Sequence, residues 1–148
     1  MSDLFGRILL LKKSPIFSEV ATEDLRSVAM EMEEEQYFKG DKVFEINNYG
    51  DHLYILQEGR IGISLDADTD SQKYVATLTE GDSFGEMNLL DDQPRSATAI
   101  VLEDARLLSL EKTRLHGLIL HYPELSIGIL KSLSLKLRSA NLLAKGSS

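Results

Sequence analysis

His52-Leu53-Tyr54-Ile55-Leu56-Gln57-Glu58-Gly59-Arg60-Ile61-Gly62-Ile63-Ser64-Leu65 is the stretch that decides the fold. Two segments rich in β-branched and aromatic residues meet at a Glu-Gly pair, and glycine there tolerates a positive φ. The stretch therefore reads as two strands, His52 to Gln57 and Arg60 to Leu65, joined by a turn. The same short alternating pattern extends both ways. Tyr37-Phe38 and Lys42 to Ile46 precede it; Lys73 to Thr79, Ala97 to Leu102 and Ala105 to Leu110 follow. Gly40-Asp41, Asn48-Tyr49-Gly50-Asp51, Asp66 to Asp70 and Gly81-Asp82 supply the turns between them. Strands spaced about 8 to 12 residues apart with such turns predict an antiparallel sandwich or barrel. An eight-stranded β-roll of the jelly-roll kind is the expected form.

Helical spacing brackets this β region. Apolar residues recur at helical intervals from Leu4 to Leu11 and from Thr22 to Met32, where Leu25, Val28, Ala29 and Met32 form a stripe. Thr22 is the expected N-cap, with Glu23 and Asp24 in a first turn that favours anions. Glu33-Glu34-Glu35 reads as a solvated exit. Helices are expected again from Lys112 to His121 and from Pro123 onward, proline being at home in a first turn. The last helix carries a predicted apolar stripe of Leu130, Leu133, Leu137 and Ala140, and a basic balance from Lys131, Lys136, Arg138 and Lys145.

Composition narrows the chemistry. With 148 residues and 43% hydrophobic content, the chain is expected to bury a core as a single domain. Its 24 acidic against 16 basic residues give a formal charge of −8, which counts against general phosphate-backbone binding. The absence of cysteine excludes disulfide frameworks, thiol nucleophiles and thiolate metal sites. Apolar runs such as Ile8 to Leu11 and Leu118 to Leu120 fall far short of the roughly 20 residues that cross a bilayer. The opening Met-Ser-Asp lacks the marks of a secretory signal, so a cytoplasmic location is expected. A metal-holding jelly roll needs clustered histidines. The three present are His52, His116 and His121, and the last two lie about 140° apart around a helix. No nucleotide-triphosphate loop, serine elbow or paired carboxylate motif appears, so neither catalysis nor a metal is expected.

One segment breaks the strand alternation: Gly81-Asp82-Ser83-Phe84-Gly85-Glu86-Met87-Asn88-Leu89-Leu90-Asp91-Asp92-Gln93-Pro94-Arg95-Ser96-Ala97-Thr98-Ala99. Glu86 to Leu90 is long enough for about one helical turn, whose leading amides favour an anion. Gly85, without a Cβ, allows a ligand close to the backbone. Arg95, just after Pro94, can aim its planar fork at the same anion. Glu86 would repel a phosphate and should accept from neutral hydroxyls instead. An arginine, free amides and a carboxylate together suit a ligand with one phosphate and one free sugar hydroxyl. The competing reading is that Arg95 only pairs with Asp91, Asp92 or Glu86 to hold the loop.

This segment resembles the phosphate-binding cassette of cyclic nucleotide-binding domains, found in the catabolite activator protein, cAMP-dependent kinase regulatory subunits and cyclic-nucleotide-gated channels. The resemblance runs from about Leu10 to Arg138. It includes Leu11-Lys12-Lys13-Ser14-Pro15-Ile16-Phe17, Gly50-Asp51-His52-Leu53-Tyr54-Ile55, Glu58-Gly59, Gly81-Asp82-Ser83-Phe84-Gly85-Glu86 and Pro94-Arg95-Ser96-Ala97-Thr98. It implies Glu86 on the ribose 2′-hydroxyl and Arg95 on the cyclic phosphate. The amides of Gly85, Ser96 and Ala97 and the Ser96 hydroxyl should lie near the ligand, with Phe84 and Met87 beside them and Ile63 and Val75 as walls for the base. Arg138 is the implied contact from the last helix, which would act as a lid. Serine after Arg95 occurs in cAMP-binding members, which implies cAMP over cGMP. Asn88 departs from the pattern, since a small residue is common there, and this implies an altered amide-lined turn.

The expected function is a non-catalytic cyclic nucleotide sensor, a single domain over 1–148 with its core at about 10–138. The transcription-factor members carry a further helix-turn-helix domain after the last helix; none follows here, so no nucleic-acid binding is expected of this chain by itself. An effector domain, a partner protein or a second copy of the chain are the implied partners. The alternative is a degenerate roll serving as an interaction or dimerisation module.

Overall fold

The computed structural model of the chain describes residues 3–66 and 73–146. Most of the turn expected at Asp66 to Asp70 lies outside these residues. The chain divides into two compact units: its ends, Met1–Glu31 with His116–Ser148, and the intervening Met32–Leu115.

The central unit is an antiparallel sheet of six strands among the described residues: β1 (Glu33–Tyr37), β2 (Lys42–Phe44), β3 (His52–Ser64), β4 (Ala76–Leu78), β5 (Ser83–Phe84) and β6 (Thr98–Glu111). β3 and β6 pair along almost their whole length, from His52 opposite Glu111 to Ser64 opposite Thr98. β1 and β2 share the other edge of β6, while β5 and β4 share the other edge of β3. Alternation then sends Tyr54, Leu56, Ile61, Phe84, Ala99, Val101, Ala105 and Leu107 into one core.

The strand count differs from eight because β3 and β6 each carry two of the expected strands. Gly59 makes no hairpin turn. It sits at φ +103° inside β3, where the register slips between Leu56 and Ile61 and the strand bends without losing its partner. A Cβ on Gly59 would lie 2.5 Å from the Asp104 carbonyl oxygen and 2.8 Å from the Ala105 Cα. Gly59→Ala is therefore expected to lower stability by about 2 kcal/mol or more, read as a drop in the urea midpoint.

Glu33-Glu34-Glu35 is exposed at Glu33 and Glu34, as expected of a solvated run, and it also opens β1, opposite Ser109, Leu108 and Leu107. Ladder hydrogen bonds come from the backbone and disregard side-chain charge, while Arg106 and Arg114 stand 3.4 Å and 3.6 Å from Glu34 and Glu33. Tyr37 donates its hydroxyl to Glu35 at 2.7 Å. An edge strand that carries charges also resists pairing with another sheet.

The unit of chain ends contains α1 (Leu4–Lys13), α2 (Thr22–Glu31) and α4 (Glu124–Gly146); α3 (Lys112–His121) runs across the boundary between units. Asp3 caps α1 by accepting from the Gly6 amide, and Arg7 reaches the Ala29 carbonyl on α2 at 3.2 Å. The Ala21 carbonyl receives the first α2 bond from Leu25, so Thr22 is the first helical residue and not the cap. On α4 the buried line is Leu125, Ile129 and Ser132, whereas Leu130 and Leu137 of the expected stripe are 64% and 63% exposed. Small and polar residues decide this. Gly128 lets Val20 approach to where a Cβ would sit 2.9 Å away, and the Ser132 hydroxyl accepts from the Glu19 amide at 2.9 Å.

Candidate functional site

β5 pairs with β3 at Tyr54 and Ile55, and the chain then leaves the sheet. Gly85 turns at φ +79° and leads into a 3-10 helix at Glu86–Leu89, the single turn expected there. The Asn88 amide donates to the Gly85 carbonyl at 3.2 Å. At the far end, Lys112 anchors the loop through the Asp91 carbonyl and the Asp92 carboxylate, 2.6 Å away. The chain returns at Arg95, whose backbone is bridged on both sides to the Asn47-Asn48 turn, by 2.7 Å and 2.9 Å bonds.

The segment encloses a cavity of about 240 Å³. Of the residues named from the sequence, Phe84, Gly85, Glu86, Met87, Arg95, Ser96, Ala97 and Ile63 line it. Val75 does not: it is 62% exposed and precedes β4. Ile61 opposes Leu78 and Ile63 opposes Ala76, so strand alternation turns Leu78, not Val75, to the cavity side. Arg138 lies exposed on α4, in the other unit. Sequence reasoning did not assign Phe44, Leu78 or Ser83 to the lining, and it noted Asn88 only as a departure from pattern. For Phe44 the sequence carries no signal, because its role depends on a side chain 51 positions away.

Arg95 is the centre of the site. It is only 3% exposed. Its guanidinium lies over the Phe44 ring, 4.1 Å from the centroid. Nη1 donates to Asn88 Oδ1 at 3.0 Å and to the Gly85 carbonyl at 3.4 Å; Nη2 donates to the His52 carbonyl at 3.0 Å. Nε has no hydrogen-bond partner among the described residues. The ion pairs of the loop-holding alternative do not form among the described residues, since Asp92 is taken by Lys112, but Arg95 does bond two loop residues, Gly85 and Asn88. Burial pulls the Arg95 pKa below its usual value, opposed by Tyr54 and Asp51 acting through space. Arginine nevertheless stays charged in proteins. A buried cation held only by neutral acceptors, with two of its five N–H donors unused, is costly by itself. Glycines make room for it. A Cβ on Gly85 would meet Nη1 at 2.7 Å, and one on Gly50 would meet Nη2 at 2.5 Å. Thus the close approach that Gly85 permits is used by the protein's own arginine. Burial also pushes the Tyr54 hydroxyl's pKa up, as does Glu35, so the aromatic floor of Tyr54 and Phe84, stacked at 5.4 Å, remains neutral.

Among the described residues no group of three or more His, Asp or Glu side chains is placed to hold a metal ion, and no helix is long and apolar enough to cross a membrane. Residues 34–122 match the cyclic nucleotide-binding domain family. The chain belongs to that family. It is 30% identical over 132 residues to the cyclic AMP receptor protein of Thermus thermophilus, a match that covers 89% of this chain and 61% of that protein's length. Among solved structures, the N-terminal domain of a transcriptional regulator from Streptomyces coelicolor superposes with a TM-score of 0.80 and 26% identity, covering 91% of this chain and 94% of that one. The regulatory domain of Toxoplasma gondii PKA, in co-crystals with cAMP, gives 0.70 and 25%, covering 80% and 46%. This cyclic nucleotide-binding domain thus has the mainly antiparallel β-roll with helices that its strand pattern predicts.

Proposed function

We propose that residues 1–148 act as one non-catalytic sensor module, core 10–138, that binds a cyclic nucleotide, cAMP in preference to cGMP. The observation that carries this is Arg95: a buried cation without a carboxylate partner, its Nε unused, lining a cavity beside the cassette amides. The phosphate docks on Arg95 and the amides of Gly85, Ser96 and Ala97, with the Ser96 hydroxyl on a phosphate oxygen. The Glu86 carboxylate accepts from the ribose 2′-hydroxyl, and the base lies along Ile63 and Leu78, near Phe84 and Met87. Ser96 after Arg95 supports cAMP, as do the name of the Thermus relative and the ligand of the Toxoplasma structure. The helix after Pro123 is the proposed lid, with Arg138 reaching the base; the ligand favours the closed arrangement by its differential affinity. The module acts in the cytoplasm on an effector domain or partner protein.

Glu86→Ala is expected to weaken cAMP binding about tenfold, the value of one charge-assisted hydrogen bond, in a calorimetric titration. The same variant should bind 2′-deoxy-cAMP no more weakly than the parent protein does. An equal loss for both nucleotides would remove Glu86 from the ribose.

A second reading, as a dimerisation or docking module, is favoured by the exposed leucines 130, 137, 142 and 143 on α4. Light scattering after size exclusion, with and without cAMP, decides whether a second copy covers them.

A further inference from the structure

Asn88 occupies the third position of the cassette's 3-10 turn, and its side chain is engaged at both ends. Oδ1 accepts from Arg95 Nη1 at 3.0 Å, and Nδ2 donates to the Gln93 carbonyl at 2.6 Å. The residue is 6% exposed; its bond to Arg95 is buried and its bond to Gln93 part-buried. The Gln93 bond closes the loop that delivers Arg95, and the Oδ1 bond holds the arginine itself. The other holders of the guanidinium are backbone carbonyls, those of Gly85 and His52. Asn88 is thus the one side chain among the described residues that hydrogen-bonds Arg95, and it takes the Nη1 end. With Nη1 tied there and Nη2 on His52, the guanidinium is fixed at both ends, and its Nε edge is buried against Gly50. A carboxamide suits this task. It accepts from a cation without neutralising it, whereas a carboxylate at the same place would compete with a phosphate.

We propose that Asn88 is a positioning residue for the anion site: it holds Arg95 through Nη1 and leaves the positive charge unspent for a phosphate. This rests on Arg95 as the phosphate ligand.

The test has two readouts. The first requires no nucleotide. The Arg95 Nε–H resonance, assigned by its loss in Arg95→Lys, is expected to be sharp and slow to exchange in the parent protein. In Asn88→Ala it should be broadened and exchange at least tenfold faster. In Asn88→Asp, which keeps an oxygen against Nη1, it should stay sharp. The second readout is cAMP affinity by calorimetry. Asn88→Ala is expected to lose about tenfold, and Asn88→Asp as much or more because its carboxylate neutralises the arginine. In an Arg95→Lys background, Asn88→Ala should cost less than threefold, since it acts through the guanidinium. An Nε–H signal unchanged by Asn88→Ala overturns the proposal, as does an equal affinity loss in both backgrounds, the mark of a merely structural role. Unchanged or tighter binding by Asn88→Ala overturns it too. If the parent protein binds no cyclic nucleotide, the ligand reading fails, and the exchange measurement still decides whether Asn88 holds Arg95.

Discussion

Arg95→Ala is expected to reduce affinity for cAMP by about 100-fold or more. A phosphate against Arg95 engages at least two N–H donors, each charge-assisted bond contributes about 1.5–3 kcal/mol, and about 1.4 kcal/mol corresponds to a decade. The surroundings strengthen the expectation. Arg95 is buried over Phe44 and, among the described residues, no other cation shares the cavity lining to substitute for the lost charge. Arg95→Lys should recover only part of the loss, because an ammonium is a point donor that cannot present the planar edge. Thermal melts before nucleotide is added are the control for folding. Binding within threefold of the parent by a folded Arg95→Ala would remove Arg95 from the site.

The second large effect is expected at a residue with no polar side chain. Gly50 sits before β3, and a Cβ there would lie 2.5 Å from Arg95 Nη2, closer still to Nε, and 2.7 Å from Cζ. Being nearer to the two nitrogens than to the carbon, that position faces the Nε–Nη2 edge. Gly50 is not among the positive-φ glycines, so alanine meets no backbone strain there, and the variant should fold. The added methyl must push the guanidinium aside, out of reach of the His52 and Asn88 acceptors. Gly50→Ala is therefore expected to lose at least tenfold in cAMP affinity, about one charge-assisted bond, with a melting temperature close to the parent's. Calorimetry beside a thermal melt checks both halves. Parent-like affinity would mean that the placement of the guanidinium against Gly50 is not needed to hold the ligand.

Much of this was legible in the residues, for reasons that also mark where reading stops. The cassette is contiguous: Gly85, Glu86 and Arg95 lie within eleven positions, and the turn chemistry that gathers them is local. Arg95's surroundings are not. Phe44, Gly50 and the His52 carbonyl come from more than 40 positions earlier, and the pairing of β2 and β3 with β6 and the Asn47-Asn48 bridge bring them there. Gly59 shows a different limit. A Glu-Gly pair between two apolar segments signals a hairpin turn and an in-strand bend equally well, and the long partner strand β6 decides between them. On α4, hydropathy pointed to Leu130 and Leu137, but burial followed Gly128 and Ser132, whose value lies in small size and one hydroxyl. Val75 and Leu78 differ by an odd number of positions, so an unknown register left the face of β4 undetermined.

The central claim is that Arg95 and the cassette receive a cyclic nucleotide. The most direct measurement is a calorimetric titration of the purified chain with cAMP and, separately, with cGMP. The account predicts saturable one-site binding, tighter for cAMP, with a rise in melting temperature that grows with nucleotide concentration. No heat and no thermal stabilisation with either nucleotide would contradict it.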